Sequence, residues 1–584
     1  MGGGKEKRVT RRTLIKRGLI AGGAIAAGGG IAGGLLAGES ERVKRSAPKR
    51  ISIPPPPQRP PNILVVIVDQ LRAPQWFQNE AAAAGLMPNL ARLRRGGVYF
   101  SSHYTAANDC TPARSVLLTG LYSQQTGCLI TSGSTLSPRF QTWGSMLRDQ
   151  GYETWYYGKW HLTQGDNLWT EADRGALEPY GFSGGTYPSP DGSPGQGWRV
   201  DPQIAEQFRR WYARAPQRRP WCTTVSFVNP HDIEWWYRWS DQVPAERSAP
   251  RIVSALPPNF ETPASLEAQR KPRLQLSFQG TSQVSFGRVP YSGPRMARAW
   301  LPFMDLYLKL CRRVDQQIGA VLDTLLSRPQ IAANTVIVFT SDHGEYGASH
   351  GMRGKGAAAY DEALRVPLIV KDMRGLLAAA PAQPRTGLTS SADFAPMLLS
   401  IATGSGAWRQ EPRYAHIASR HDLAAMLGDP TAPGRPYILH STDEIVTEFA
   451  IELYAAEAPL HVTAIRTPHA KYALYSNWAP HTDRIEASGQ ESELYDYRTL
   501  GGRLEIENVA GASDLEPMLR EQLEAAIRNE LRESLPSYLQ SAQQAGYANY
   551  YDKARQAAVE ATVLRRKIER REGRPRVADK LGAQ

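Results

Sequence analysis

The sequence predicts an α/β protein in which a large, mostly parallel β-sheet is sandwiched by helices and followed by a smaller C-terminal α+β subdomain. Three observations carry this. Four strand-like runs, widely separated along the chain, each end in a cluster of polar residues, and helical patterns lie between them. After about residue 437 the pattern changes to short strand-like pieces. At 584 residues the chain exceeds a single typical core, so one large domain with a smaller one is expected rather than a string of modules.

The first run is Ile63-Leu64-Val65-Val66-Ile67-Val68, bounded by Pro61 and ending in Asp69-Gln70. A continuous, largely β-branched run reads as a strand buried on both faces, as in a parallel sheet covered by helices. Its acid lies at the carboxyl end, the edge at which open α/β sheets bind ligands. Residues 152–157 run likewise into Gly158-Lys159-Trp160-His161, residues 222–228 into Asn229-Pro230-His231-Asp232, and residues 335–339 into Thr340-Ser341-Asp342-His343-Gly344-Glu345. One polar residue after a strand is commonly a turn or a helix cap. Four such ends in one chain point to a shared site.

Helices are expected at 87–95, 142–150 and 299–326. In the last, Leu306, Leu310, Val314, Ile318 and Val321 recur at helical spacing, so it lies on the sheet with Cys311 as a structural residue of its apolar face. Another begins at Cys110-Thr111-Pro112-Ala113-Arg114, because proline favours the first turn, where its missing N–H costs nothing. Cys110 thus sits at a helix N-terminus, where free N–H groups and the dipole favour negative charge. Arg114, a turn later, comes round to the same side as a fixed cation. Taken alone, this is also the pattern of a buried cysteine ahead of an amphipathic helix.

The C-T-P-A-R segment with the following L-L-T-G resembles the signature of type I sulfatases of the alkaline-phosphatase-like superfamily, and the likeness extends over most of residues 62 to 510. It implies conversion of Cys110 to formylglycine, with Pro112 and Arg114 read by a formylglycine-generating enzyme as partner. Asp69, Gln70, Asp342 and His343 take the places of the family's metal-binding quartet. The commoner pattern has two adjacent acids and then Asp-Asn. The Asp-Gln and Asp-His variant is more similar to the choline-sulfatase and phosphonate-monoester-hydrolase branch. One divalent ion is expected, calcium first, with manganese or magnesium as alternatives because an imidazole shifts preference toward transition ions. A position for His343 behind the ligands stays open.

Around the ion the resemblance places Arg114, Lys159, His161, His231 and Lys355, the last in the glycine-rich loop His350-Gly351-Met352-Arg353-Gly354-Lys355-Gly356. A hydrated aldehyde at position 110 is then the nucleophile, with Asp342 accepting its proton. Lys159 and Lys355 neutralise the sulfate oxygens. His231, together with Lys355, protonates the leaving alcohol, and His161 assists release of sulfate. His350 and Arg353 receive no role.

The net charge of +13 is gathered at the two ends, from Lys5 to Arg17 and from Arg565 to Arg576. Solvated tails account for it, and no nucleic-acid partner is expected. Arg11-Arg12 followed by an uncharged run from Leu19 to Ala37 resembles a twin-arginine export signal over residues 1–40, which implies the Tat machinery as partner and a periplasmic or extracellular enzyme. The run is also long enough for a membrane anchor. A Pro-rich linker occupies 41–61. The four cysteines, Cys110, Cys128, Cys222 and Cys311, show neither metal spacing nor a disulfide framework.

The catalytic domain is expected over 62–436. Residues 232–298 form a long, weakly periodic insertion within it, read as a lid whose Trp235 and Trp236 wall the leaving-group side. An antiparallel subdomain over 437–512 follows. In the tail at 513–584, Ser513 and Glu516 read as a capping box ahead of Leu515, Leu519, Leu523, Ile527 and Leu531 on one helical face. The sequence supports sulfate ester hydrolysis first and phosphonate or phosphate ester hydrolysis second. A non-catalytic sulfated-glycan binder with an unmodified thiol is the third reading. Leaving group and oligomeric state are not legible.

Overall fold

The computed structural model describes residues 59–73, 80–131, 133–216, 218–238, 252–444 and 458–572. The expected export signal, nearly all of the linker, part of the insertion and the last basic residues of the tail lie outside them.

The strands of the main sheet are β1 (Asn62–Asp69), β2 (Val98–Phe100), β4 (Glu153–Gly158), β5 (Ser183–Gly184), β6 (Trp221–Pro230), β7 (Thr335–Ser341) and β8 (Leu368–Asp372). The short β3 (His103–Tyr104) pairs with β9 (Thr389–Ser390) to one side. Seven strands lie in the order β2-β8-β7-β1-β6-β4-β5, parallel except for β8, which runs against β7 and β2. Side chains along β1 alternate between two cores. Ile63, Val65 and Ile67 face one, with Leu117, Trp143 and Phe394; Leu64, Val66 and Val68 face the other, with Leu93, Phe208 and Val314. Burying each of these strand residues contributes about 1.5–3 kcal/mol. The run therefore reads as uniformly apolar because both faces are covered.

The covering helices are α1 (Pro88–Arg94), α2 (Cys110–Thr119), α3 (Trp143–Asp149), α4 (Gln196–Tyr212), α5 (Met296–Leu326) and α6 (Phe394–Thr403). Thr142 caps α3 by accepting from Gly144 N–H. Gly120 ends α2 in the left-handed conformation its missing side chain permits, φ 74°. Cys311 is buried on α5, as expected.

The smaller sheet is an antiparallel meander of β10 (Ile438–Thr442), β11 (His461–Arg466), β12 (Ala470–Ser476) and β13 (Glu491–Asp496). Leu519, Leu523, Ile527 and Leu531 cover one of its faces. The expected capping box does not close: the helix begins at Glu516, the Ser513 hydroxyl accepts from Leu515 N–H, and the Glu516 carboxylate instead accepts from Gly511 N–H. A final helix, Ser537–Glu572, returns to the main domain. There Gln543 and Tyr547 donate to the Gln124 carbonyl at 2.9 and 3.0 Å, and a Cβ on Gly127 would meet Gly546 Cα at 2.9 Å.

The insertion differs from expectation. It is not structureless, since helices occupy Pro263–Ala268 and Arg273–Ser285. The second buries Leu274 and Phe278 among Gln275, Ser277, Gln279, Thr281 and Ser282, so its inward face is mostly polar and leaves only a weak apolar period to read. Trp236 is packed against Phe303 of α5 with ring centroids 5.2 Å apart and is 5% exposed, which makes it core and not wall.

Candidate active site

Strands β7, β1, β6 and β4 are consecutive neighbours and parallel, so their carboxyl ends line one edge of the sheet. The residues at or just beyond those ends are Asp342, Asp69, His231 and Lys159, in that order across the edge. The N-terminus of α2 meets this row. Asp109 caps it at φ 106°, and Cys110 opens the helix at 1% exposure.

Cys110 Sγ lies 3.3 Å from His343 Nε2, 3.6 Å from Lys159 Nζ and 3.7 Å from Asp69 Oδ2. Asp69, Cys110, Asp342 and His343 present ligand atoms all within 4.8 Å of one another, and all four are buried. Two carboxylates with an imidazole are a donor set that suits a hard or borderline divalent cation, so the residues fit the expected ion. Gln70 faces elsewhere. Its amide nitrogen donates to Glu234 at 3.0 Å and to Glu345, and its Oε1 accepts from Lys355 Nζ at 3.0 Å.

Arg114 is wholly buried and pairs with Asp69 Oδ2 at 3.1 Å and with Asp342 Oδ2 at 2.9 Å. It also donates to the Lys159 carbonyl at 2.7 Å and to Ser226 Oγ at 3.0 Å, which ties α2 to β4 and β6. Lys159 Nζ lies 2.7 Å from Asp69 Oδ2, and His231 Nδ1 lies 3.3 Å from Asp69 Oδ1. Lys355 reaches the site from its loop and pairs with Glu234 at 3.1 Å.

Burial alone raises the Asp69 carboxyl, but Lys159, His231 and Arg114 outweigh it and hold the group well below the usual carboxylate range. Burial likewise opposes charge on the two lysines. Asp69 and Cys110 nevertheless raise Lys159, and Cys110 and Glu234 raise Lys355. The histidines part company. Burial, with Lys159 and Arg114 adding to it, lowers His161 well below the ordinary imidazole value. Burial also works against His231, yet Asp69 raises it. Burial thus prevails at one ring and the neighbouring carboxylate at the other. His161 Nδ1 is buried without a hydrogen-bond partner, while its backbone N–H donates to Asp166 Oδ2 at 2.8 Å.

The site loops hold several non-glycine residues at positive φ: Gln70, Asp109, His161, Ala348, His350 and Ala357. Such conformations cost about 1–3 kcal/mol each and persist where the surroundings dictate them. The structure thus brings together all ten residues singled out in the sequence, with the Gln70 side chain turned from the cation cluster toward Lys355.

Sequence reasoning missed Glu234, Gly192 and the part played by Glu345. Glu345 has its carboxyl raised to about 7 by burial and by Glu234. Glu234 and Glu345 stand three residues past His231 and Asp342, yet nothing in their spacing sets them apart. Gly192 packs its backbone on His231, where a Cβ would fall 2.4 Å from Nε2, and Trp235 Nε1 donates to the Gly192 carbonyl at 2.6 Å. Only its position in a Pro-Asp-Gly-Ser turn marks it in the sequence.

Comparison with known proteins bears on the family and the fold. The chain is 28% identical over 319 residues to the uncharacterized sulfatase YidJ of Escherichia coli (strain K12), covering 49% of this chain and 58% of that protein. It is 27% identical over 377 residues to the choline-sulfatase of Rhizobium meliloti (strain 1021), covering 59% and 67%. The matched regions thus span between a half and two thirds of these relatives. Among solved structures, the 2-O GAG sulfatase BT1596 superposes with a TM-score of 0.60 at 21% identity, over 81% of this chain and 93% of that one, a likeness of fold. The Sulfatase family model matches residues 61–405, more than half of the chain, and the protein belongs to that family.

Proposed function

We propose that the protein hydrolyses sulfate monoesters, using a formylglycine made from Cys110 and a single divalent cation held by Asp69, Asp342 and His343 with Gln70 beside them. The observation that carries the reading is the approach of Cys110 to Asp69, His343 and Lys159, within 3.8 Å of all three, inside a ring of buried cations. Unaided, such esters hydrolyse very slowly, so the site has to offset a large barrier.

Held by Asp69, Asp342 and His343, a divalent ion would supply Lewis acidity that favours an ionised nucleophile. A hydrated formylglycine at position 110 would offer two hydroxyls, one for attack on sulfur and one for release of sulfate. The remaining work falls to this chain's own side chains. Lys159 and Lys355 set fixed positive charge where the equatorial oxygens gain negative charge. Asp342 accepts the proton of the attacking hydroxyl. His231, protonated beside Asp69, gives its proton to the leaving oxygen, and neutral His161 takes a proton as sulfate departs. Calcium is the first choice of ion because two of the donors are carboxylates. Export through the twin-arginine route, supported by Arg11-Arg12 and the uncharged run after it, belongs to the same proposal.

Peptide mass spectrometry across residue 110 on natively produced protein tests the modification, with the aldehyde mass expected. A panel of aryl, sugar and choline-type sulfate esters beside phosphonate and phosphate esters tests the reaction. Faster turnover of a phosphonate than of any sulfate ester replaces this reading with phosphonate hydrolysis. An unmodified thiol together with no turnover leaves a binding protein.

A further inference from the structure

Lys355 reaches the site from a loop, residues 348–356, that contains only a single short turn of regular structure. Its polar groups are nevertheless held, and the holding groups come from the insertion. Asn259 O accepts from His350 N–H at 2.7 Å, Gln279 Nε2 donates to the His350 carbonyl at 2.7 Å, and Tyr291 OH donates to the Gly351 carbonyl at 2.8 Å. Arg353 donates back to the Ser282 and Gly287 carbonyls at 2.6 and 3.0 Å. A Cβ on Gly351 would stand 2.1 Å from the Glu261 carbonyl, so the two backbones are in direct contact.

The His350 ring is the centre of this grip. Nδ1 lies 2.6 Å from Glu261 Oε2 and Nε2 lies 3.6 Å from Glu362 Oε2, while Tyr360 stacks on its face at 3.5 Å. Burial alone lowers the imidazole, but the two carboxylates raise it, so the ring favours the charge that binds both. The brace continues outward. Lys271 of the insertion donates to Tyr495 at 2.6 Å and to the Glu505 carbonyl at 2.6 Å, in the C-terminal part. His350, Glu362 and Glu505 could by spacing hold a metal ion. Lys471 on the Glu505 carboxylate already supplies positive charge there, which argues for a structural cluster.

We propose that Glu261 and His350 are positioning residues for Lys355, and that the insertion is a strut fixing where that ammonium group stands. Residues 259–291 hold the turn, and the turn sets the reach of Lys355 to Gln70 and Glu234. A displacement of about 1 Å at a catalytic group costs up to about 100-fold in rate, so a brace of this kind has a measurable kinetic weight.

The test uses the full chain with Glu261→Ala and the milder Tyr291→Phe, which removes a single hydrogen bond and keeps the ring. Hydrogen exchange is read at the amides of 348–356, and kcat on the best sulfate ester of the panel is read alone and with Lys355→Ala. The expected result is exchange at those amides at least about tenfold faster in Glu261→Ala, with a smaller rise in Tyr291→Phe. A fall in kcat of about 10- to 100-fold is expected in Glu261→Ala, restored in large part by Glu261→Gln. Glu261→Ala with Lys355→Ala is expected to be no slower than Lys355→Ala alone, because both act through one group. Losses that multiply in the double variant overturn the proposal, as does exchange unchanged in both single variants. The kinetic arm rests on the proposed hydrolysis. If no ester is turned over, that reading fails and the exchange result alone decides this one; if Glu261→Ala does not fold, Tyr291→Phe carries the same comparison.

Discussion

Arg114 Nε lies 2.9 Å from Asp342 Oδ2, with both side chains fully removed from solvent. The same guanidinium neutralises Asp69, so one residue of the α2 helix compensates both carboxylates of the cation cluster. Removing Arg114 takes the buried countercharge from Asp342, while Asp69 keeps Lys159, and uncovering a buried charge in this way costs about 3–5 kcal/mol. Arg114→Ala should therefore lower unfolding stability by that amount in chelator. Added calcium should recover more stability in the variant than in the parent, and thermal denaturation with and without the ion reads both.

Gln70 is held by its amide nitrogen between Glu234 and Glu345, a place where a carboxylate would meet two others. Gln70→Glu should lose about 1–3 kcal/mol at neutral pH, the cost of a buried polar contact turned repulsive. Combining it with Glu345→Gln should return most of the loss. Urea titration of the three variants measures the coupling.

Lys355→Ala and Lys159→Ala should each lower kcat by about 100- to 1,000-fold on a sulfate ester, the range found when a single preorganised stabilising group is removed. Steady-state kinetics on the folded variants is the check. An equal small effect from both would argue that neither contacts the sulfate.

Gly192→Ala places a methyl group against His231 and also forces a side chain onto a backbone at φ 95°. The strain costs about 1–3 kcal/mol. Turnover should fall by at least about tenfold as the ring is displaced. The discriminating measurement is the ratio of the effects on substrates with good and poor leaving groups, since displacing the acid proposed at His231 would harm the poor ones more.

His440 is buried and lowered to about 3 by that burial, with its Nδ1 3.1 Å from the Thr105 carbonyl. Unfolded, it titrates near about 6.5. Between those two values the unfolded chain binds a proton that the native chain refuses, so stability falls as pH falls through the window and is fully present above it. His103 and His416, each lowered to about 4 by burial, act in the same direction. Moving from pH 7 to pH 5 should cost His440→Gln about 2 kcal/mol less than the parent, measured by urea unfolding at both values.

The sheet was legible because its central strands are buried on both faces and must be apolar throughout, as Ile63 to Val68 are. The edge strands were not. β2 and β5 comprise three and two residues, too few to set a period. Asp69, Lys159, His231 and Asp342 could be proposed because parallel strands deliver their ends to one edge, so order along the chain maps onto a row in space. Glu234 and Glu345 escaped notice because an acid shows its importance only through what faces it, and their partners lie 164 and 275 positions away. The insertion misled for a related reason. Its helix from Arg273 buries amides and hydroxyls around just two core residues, Leu274 and Phe278, and so mixed a face is hard to tell in one dimension from a solvated loop. The helix at Gln196–Tyr212 is a different case, since Ile204, Phe208 and Trp211 gave a periodic signal that went unused.

The docking of Gln543 and Tyr547 onto Gln124 links the turn after the cysteine helix to chain made 419 and 423 positions later. A ribosome thus produces the strands, the cysteine and both lysines long before it releases the residues that hold the Gln124 carbonyl. A message cut short between codons 356 and 543 would encode every group proposed for the chemistry and still yield a polypeptide in which the turn after Cys110's helix lacks its clasp.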